Sequence, residues 1–561
     1  MVANLLPVGL IFYFVHRFGV DLPWQDEWEF VKTLQQFQAG TLGFTALMTQ
    51  LNEHRMPFPR LLTVANAMLF HWDRTVEMYV TATLLILCVW LLFRFVRTFW
   101  DHPLTLLFFL PIAWTLLSWR QWENLLMGMG TVFGLLVTGA TVAFLLLHRT
   151  RSIDRFVMGA AAAAFVASFS SGGGLLIWPV GLAQLSLQRA YGTDDEKPDR
   201  SAFVIWAGAA ALAYVLFFVG YQERRVTWPT GLAYMAQHPV DSLRFMASVI
   251  GSPLSVHQAM AQSFGIILTV IAAWAVLRIR KAPAELVAAA PLLAFMVLTL
   301  LTVAMTCDRR MGRFGLIAAL QSRYCSLTGV GLVALYALLV RFTFKEGHQV
   351  TVLACGAVGA FLTLGAMTNY ASWSEDPRRS NGYELGVYAV RSADVVSDEA
   401  LLSVLGRPNV ARERIPFLRE HGYSLFHQAV PMGVPVLYRG ASAGCYIDSV
   451  NGRQGPLVSV SLRGDSSGLR VSGWAVDAAV GQTASRVFVS IDDRIDVPTL
   501  PQDRPDVAVF FKNPNYARCG FLSYVRTSLL TPGEHTLRLK IVSHDGASYS
   551  TCGALQLRAS E

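Results

Sequence analysis

A chain of 561 residues that is 53% hydrophobic and only 15% charged is too apolar for a soluble globular protein, which carries about 25% charged residues. It is read as a polytopic α-helical membrane protein. The net charge of +8 is spread between hydrophobic stretches rather than gathered in one patch, which excludes nucleic acid as a partner and suits the lipid bilayer and its anionic headgroups.

A helix needs about 20 apolar residues to cross a hydrocarbon layer of ~30 Å. On that criterion spans are predicted near 3–18, 76–98, 103–119, 125–147, 156–170, 174–188, 202–220, 260–277, 285–306, 324–340 and 350–369, about eleven in all. The stretch 156–188 is uncharged but interrupted by "SFSSGGG", and Gly172 to Gly174 disfavour helix, so two helices are predicted there. The N-terminal stretch lacks a basic region and a small-residue cleavage site, so 3–18 is expected to be a retained helix. These spans place residues 1–370 in a transmembrane domain whose first external loop is 19–75, followed by a mixed, helical extramembrane segment 371–450 and a β-domain 451–561.

The first external loop opens with "VDLPWQDEWEF". A carboxylate held at the lipid boundary between Trp24 and Trp28 is partly desolvated, which raises its pKa and makes it a better base toward a hydroxyl. Asp26 and Glu27 are adjacent and point about 100° apart on a helix, so one of them would serve, and the pair does not suit a glycosidase. The other reading is an acidic N-cap on "DEWEFVKTLQQF" with tryptophans as interface anchors. The two carboxylates could also share a divalent ion, although no DxD-like pair stands near them and no metal site is assigned. Further on, "FVKTLQQFQAG" and "PRLLTVANAMLFHW" have the pattern of helices lying along the interface.

Three polar clusters follow in chain order. "QLNEHRMPFPRLL" holds Glu53, His54, Arg55 and Arg60, whose arginines could grip phosphate oxygens bidentately, or which form a solvated turn before an interfacial helix. "SWRQWENLLMG" holds Trp119, Arg120, Gln121, Trp122, Glu123 and Asn124 between two spans; planar polar groups and indoles bind sugars, though tryptophan belts are also routine at interfaces. "CDRRMGRFGLIAALQSRY" crowds Arg309, Arg310, Arg313 and Arg323 into a predicted outer loop, against the positive-inside rule. Arg94, Arg97, Arg149, Arg151, Arg155, Arg278, Arg280, Lys281, Arg341 and Lys345 obey that rule in the predicted inside loops, whereas Arg224 and Arg225 join the violators. Either the second half is inverted or the outer guanidiniums neutralise an anionic ligand, as they would a leaving group gaining charge.

The tail alternates at period two in "LRVSGWAV", "RVFVSI", "GFLSYVRT" and "HTLRLKIV", separated by turn signals, which predicts an antiparallel β-sandwich. In "RPDVAVFFKNPNYARCGF" the aromatics could form a carbohydrate-binding face, but Phe510, Phe511, Phe521 and Tyr524 are expected mostly in the core. Cys88, Cys307, Cys325 and Cys355 fall in or beside apolar spans as buried thiols. Cys445, Cys519 and Cys552 allow one disulfide if the tail is exported, leaving one thiol over. "GASAG" at Gly440 to Gly444 fits GxSxG without the strand–turn–helix setting of a nucleophile elbow, and no Walker A loop or dinucleotide fingerprint is found.

A first span, a long first external loop opening on the acidic pair "DE", interfacial helices, many further spans and a soluble C-terminal domain together resemble the GT-C superfamily of integral-membrane glycosyltransferases. The resemblance implies inverting transfer of a sugar from a polyprenyl-phosphate or polyprenyl-diphosphate donor to a lipid-linked or surface glycan acceptor, on the non-cytoplasmic face of the cell membrane. It implies that Asp26 or Glu27 is the catalytic base and that the outer arginines receive the phosphate. It requires no cofactor and places the C-terminal domain outside. Two rivals stand beside it: an O-antigen-type polysaccharide polymerase or ligase, and a non-enzymatic glycan transporter or receptor. The spans hold few charges, which argues against transport.

Overall fold

The computed structural model describes residues 2–222, 229–346, 349–374, 377–428, 433–441, 444–454, 459–462 and 468–559. Arg224 and Arg225 lie outside these, as do two residues of "GASAG". The chain divides into two units, Met1–Val20 with Thr33–Asp376, and Asp21–Lys32 with Pro377–Glu561.

The first unit is helical. Among the described residues six helices are long and apolar enough to cross a membrane: Arg74–Trp100, Gly130–Leu147, Arg200–Phe218, Gln258–Ile279, Ala290–Phe314 and Ser322–Lys345. Four of the other five predicted spans fall on shorter or broken helices. Val2–Phe18, Arg155–Ser168 and Ile177–Tyr191 have 17, 14 and 15 residues, and 103–119 is split into Thr105–Phe108 and Leu110–Leu116, with a proline at the start of the second piece. Gln349–Ser374 is a continuous helix. The glycine run does divide 156–188 in two, through a tight turn over Gly172–Leu176.

Close helix contacts rely on small residues, as they do where lipid removes the hydrophobic drive between helices. A Cβ on Gly251 would sit 1.9 Å from the Ala261 carbonyl oxygen, and one on Gly265 would sit 1.8 Å from that of Ala247, so Pro239–Gly251 and Gln258–Ile279 meet backbone to backbone. The Ser322–Lys345 window is 78% buried and central, whereas that of Gln258–Ile279 is 17% buried and peripheral. Pro57–Phe70 exposes Leu61, Met68, Leu69 and Phe70, the apolar face expected of an interfacial helix.

Up-and-down traversal gives this unit two ends. At one end gather a hairpin of β1 (Gln50–Leu51) and β2 (His54–Arg55), the turn before Trp122, the Gly172 turn, the C-terminus of Arg200–Phe218 and the segment 310–324. At the other, Trp100 donates to the Ala337 carbonyl at 2.9 Å, and Arg341 binds Glu285 at 3.0 Å and the Phe99 carbonyl.

The second unit has the helices Pro377–Arg391, Asp398–Leu402 and Pro408–Glu420, then a β-rich region. Its strands are β3 (Leu437–Ala441), β4 (Cys445–Val450), β5 (Arg453–Gln454), β6 (Ser459–Leu462), β7 (Leu469–Asp477), β8 (Gln482–Thr483), β9 (Arg486–Ile491), β10 (Ile495–Pro498), β11 (Leu500–Gln502), β12 (Gly520–Val525), β13 (Gly533–Val542) and β14 (Ser548–Ala559). One sheet runs β10-β9-β13-β14-β3 with β6 also on β14; the other runs β11-β12-β7-β4-β5 with β8 on β7. The β-region thus begins ahead of residue 451, and β14 pairs in parallel with both β3 and β6, so the pairing is not wholly antiparallel. Cys445 and Cys552 form a disulfide, and Cys519 stays free and buried.

Candidate functional site

The polar end of the helical unit brings together groups from four distant segments. Glu53 sits in the turn between β1 and β2, where Asn52 takes a positive φ of 51°. Arg310 Nη2 lies 3.2 Å from Glu53 Oε1. His54 Nδ1 accepts the Gly172 backbone N–H at 3.0 Å, which leaves its Nε2 facing Glu53 at 3.9 Å. A Cβ on Gly172 would stand only 3.0 Å from the Glu53 carbonyl oxygen, so glycine lets the two turns touch.

Beside this pair lies a second. Glu123 Oε2 accepts from Ser322 Oγ at 2.8 Å and from the Arg323 backbone N–H at 3.1 Å, and Glu123 Oε1 is 3.6 Å from Arg323 Nη2. Asn124 donates to the Arg323 carbonyl at 2.9 Å and to Ser326 Oγ at 2.6 Å, while Gln121 accepts from Ser326 Oγ at 2.6 Å. Tyr324 joins the two pairs, within electrostatic reach of Arg323, Arg310, Glu123 and Glu53. Its hydroxyl and the Nε of Arg323 are both shut off from solvent and find no hydrogen-bond partner among the described residues, which is uncommon for buried polar atoms.

Burial alone would raise the pKa of Glu53, but His54, Arg310 and Arg309 outweigh it and hold the carboxyl below its ordinary value. The site therefore presents an ionised carboxylate next to guanidinium groups that retain partial solvent access. Among the described residues the cluster gathers no three metal-type ligand atoms around one point.

Several residues singled out in the sequence hold the scaffold instead. Arg55 gives Nε, Nη1 and Nη2 to the carbonyls of Phe217, Met48 and Val219 at 2.6, 2.6 and 2.5 Å. Arg60 Nη1 donates to the Leu47 and Thr49 carbonyls at 2.5 and 2.6 Å. Both guanidiniums are buried and satisfy carbonyls that helix ends and turns leave without partners, so phosphate is not their ligand here. Arg120 likewise serves the carbonyls of Ser252 and Leu320. Trp119 stacks on Phe14 with ring centroids 4.3 Å apart, and Trp122 packs against the core, so neither indole offers a free face of the kind expected for a sugar. Arg309 pairs with Asp308 at 3.2 Å, and Arg313 lies over the Phe314 ring. The sequence marks Gly172 only as part of a helix break and does not single out Tyr324, whose one signal is its place directly after Arg323.

In the second unit the opening acidic stretch has definite structural work. Gln25–Glu27 forms a tight turn in which Glu27 Oε2 accepts the Trp24 N–H at 2.8 Å. Glu27 and Trp28 are fully buried, while Asp26 is exposed. Of the two expected candidates for the base, Glu27 is buried and caps the turn, in line with the other reading of the stretch, while Asp26 is exposed rather than desolvated. Glu29 binds Arg407 and Arg414, each at 3.2 Å, and Arg414 also donates to the Trp28 carbonyl at 2.5 Å.

The aromatics of the β-region divide as well. Phe521 and Tyr524 are buried, but Phe510 and Phe511 are 80% and 44% exposed, because they end a short helix, Pro505–Phe510, that leaves the sheets. Comparison of the chain with family models, with curated proteins and with solved structures finds no match.

Proposed function

We propose that the protein is a multi-pass membrane glycosyltransferase of GT-C type that transfers a sugar from a polyprenyl-phosphate donor to a lipid-linked or surface glycan acceptor, with inversion. In this reading the shorter apolar helices join the six long ones in the bilayer to give about eleven spans, and the two sheets stack as a sandwich on the non-cytoplasmic side. The Cys445–Cys552 disulfide supports an oxidising compartment for that region.

One observation carries the proposal. Four chain segments converge on Glu53, Arg310, Glu123, Arg323 and Tyr324, and two buried donors there, Arg323 Nε and Tyr324 Oη, have no acceptor among the described residues. Arg310 and Arg323 would take the donor phosphate and neutralise the charge that grows as the C1–O bond to phosphate breaks. The acceptor hydroxyl passes its proton to a carboxylate while its oxygen bonds to C1, and the polyprenyl phosphate departs with the electron pair. Glu53, ionised and half-exposed, is the carboxylate of this cluster suited to that proton.

The test is sugar transfer from polyprenyl-phosphate donors in membranes, comparing wild type with Arg310→Ala, Glu53→Gln and Asp26→Asn. Loss of about 100-fold or more with Arg310→Ala and Glu53→Gln supports the assignment. Equal rates for all four overturn it. Exposure of Asp26 and the capping role of Glu27 favour the polymerase or ligase as second reading; for that class Asp26→Asn leaves glycan joining intact while Arg310→Ala abolishes it.

A further inference from the structure

The opposite, basic end of the helical unit holds a cavity of about 530 Å³, within the ~300–1,000 Å³ typical of ligand sites. Its polar wall is Arg94, Thr98, His148, Arg149, Arg151 and Arg341, and among the described residues no carboxylate lines it. Two of these arginines are engaged: Arg341 with Glu285 at 3.0 Å and the Phe99 carbonyl, and Arg151 with the carbonyls of His148 and Thr150 at 3.3 and 3.0 Å. Arg94 and Arg149 form no ion pair among the described residues, although Arg94 lies 5.7 Å from the Trp90 ring. The Nδ1 of His148 is also cut off from solvent, without a hydrogen-bond partner among the described residues. Unpaired guanidiniums around a cavity of this size create a site for an anion with several acceptor oxygens.

The rest of the wall identifies what carries the anion. Trp90, Leu145 and Leu146 line the cavity beside the arginines. Trp90 is 52% exposed on Arg74–Trp100, a membrane-length helix, so much of its indole is left uncovered by protein. A free phosphate has no use for that apolar wall, whereas a lipid fills both halves at once: phosphate on the guanidiniums, acyl chain along Trp90. Basic pockets between helix ends bind anionic headgroups in this way.

We infer that this cavity binds the phosphate of an anionic membrane lipid. It does not depend on the glycosyltransferase reading, since it shares no residue with the Glu53–Arg310 cluster. The experiment is native mass spectrometry of the full-length protein titrated with phosphatidylglycerol or phosphatidylcholine, comparing wild type, the double variant Arg94→Gln/Arg149→Gln, and a charge-matched control, Arg280→Gln/Lys281→Gln, at the same end but outside the cavity. The double variant is expected to bind the first phosphatidylglycerol roughly thirtyfold more weakly, the control to change it less than about threefold, and phosphatidylcholine to bind all three alike, with thermal unfolding unchanged. Equal loss in the control reveals only generic attraction to the surface and overturns the site. Undiminished binding in the double variant overturns it too. Competition by millimolar inorganic phosphate, with no preference between lipids, reassigns the cavity to a free anion and overturns the lipid.

Discussion

The two ends of the helical unit carry charge in opposite ways. At the polar end Glu53 meets Arg310, Glu123 meets Arg323, Asp308 meets Arg309, and the buried pair Arg74–Glu77 closes at 2.7 Å. At the basic end Glu285 answers Arg341 and Lys345, while Arg94 and Arg149 form no ion pair among the described residues. The contrast follows from what each end meets. Cations at a headgroup surface find lipid phosphates as counterions, whereas charges drawn inward from water must bring their own partners or bear the desolvation cost. On the proposed reading the Glu53–Arg310 and Glu123–Arg323 pairs belong to a site built inward, and Arg94 and Arg149 lean on the bilayer.

The largest expected effect lies on transfer activity. Replacing Arg310 or Arg323 by Ala lowers kcat by about 10²–10³-fold, the usual effect of removing one group that stabilises transition-state charge. Arg280→Gln, at the basic end and outside its cavity, leaves transfer within about twofold, and similar losses at both ends would erase the functional distinction between them. Stability should divide along the same line. Glu77→Ala strands Arg74, whose side chain is wholly buried, and is expected to cost about 3–5 kcal/mol in detergent unfolding. Glu285→Ala leaves Arg341 and Lys345 partly in water and costs about 1 kcal/mol; equal costs would show that the two ends are desolvated alike. A smaller, positional effect belongs to Gly172→Ala, whose methyl would crowd the Glu53 carbonyl and stand 3.3 Å from His54 Nδ1. Transfer should fall about tenfold with the melting temperature nearly unchanged, and full activity would detach the Gly172 turn from the site.

The parts that were legible in the sequence are those with one physical solution. Twenty apolar residues without a charge make a helix, and three glycines end one, so the long spans and the break at Gly172 could be read directly. Glu53, Arg310, Glu123 and Arg323 were legible as polar residues at span ends, which alternate sides along the chain. Arg55, Arg60 and Arg120 were misjudged because their partners are backbone carbonyls, which every residue offers and no composition reveals. The capture of the acidic stretch by the second unit was hidden for another reason: Glu29 and Arg414 are 385 residues apart, and only tertiary folding pairs them. Phe510 and Phe511 look like core by hydrophobicity and are exposed by the geometry of a helix too short to cover them.

The smallest predicted effect sharpens the comparison from outside the helical unit, where a pair can titrate. At the helical ends the carboxylates meet mostly arginine, with Lys345 beside Glu285 and His54 beside Glu53. In the β-region His535 Nδ1 lies 2.7 Å from Asp492 Oδ2 and Nε2 lies 2.7 Å from the Thr531 carbonyl oxygen. These two hydrogen bonds, Asp492 first, raise the His535 pKa, and the same histidine helps hold Asp492 below its ordinary value. Because the folded histidine holds its proton more tightly than the unfolded one, its contribution is fully present below the unfolded pKa of about 6.5 and fades as pH rises through the folded value. Asp492 acts in reverse, contributing above its ordinary pKa of 3.8 and losing that contribution as pH falls through its lowered value. Hydrogen exchange across β13 should therefore separate wild type from His535→Gln more at about pH 5.5 than at about pH 8.5, several-fold in protection at the lower value. An identical gap at both values would mean that the imidazole acts by packing alone and that the pair carries no charge worth titrating.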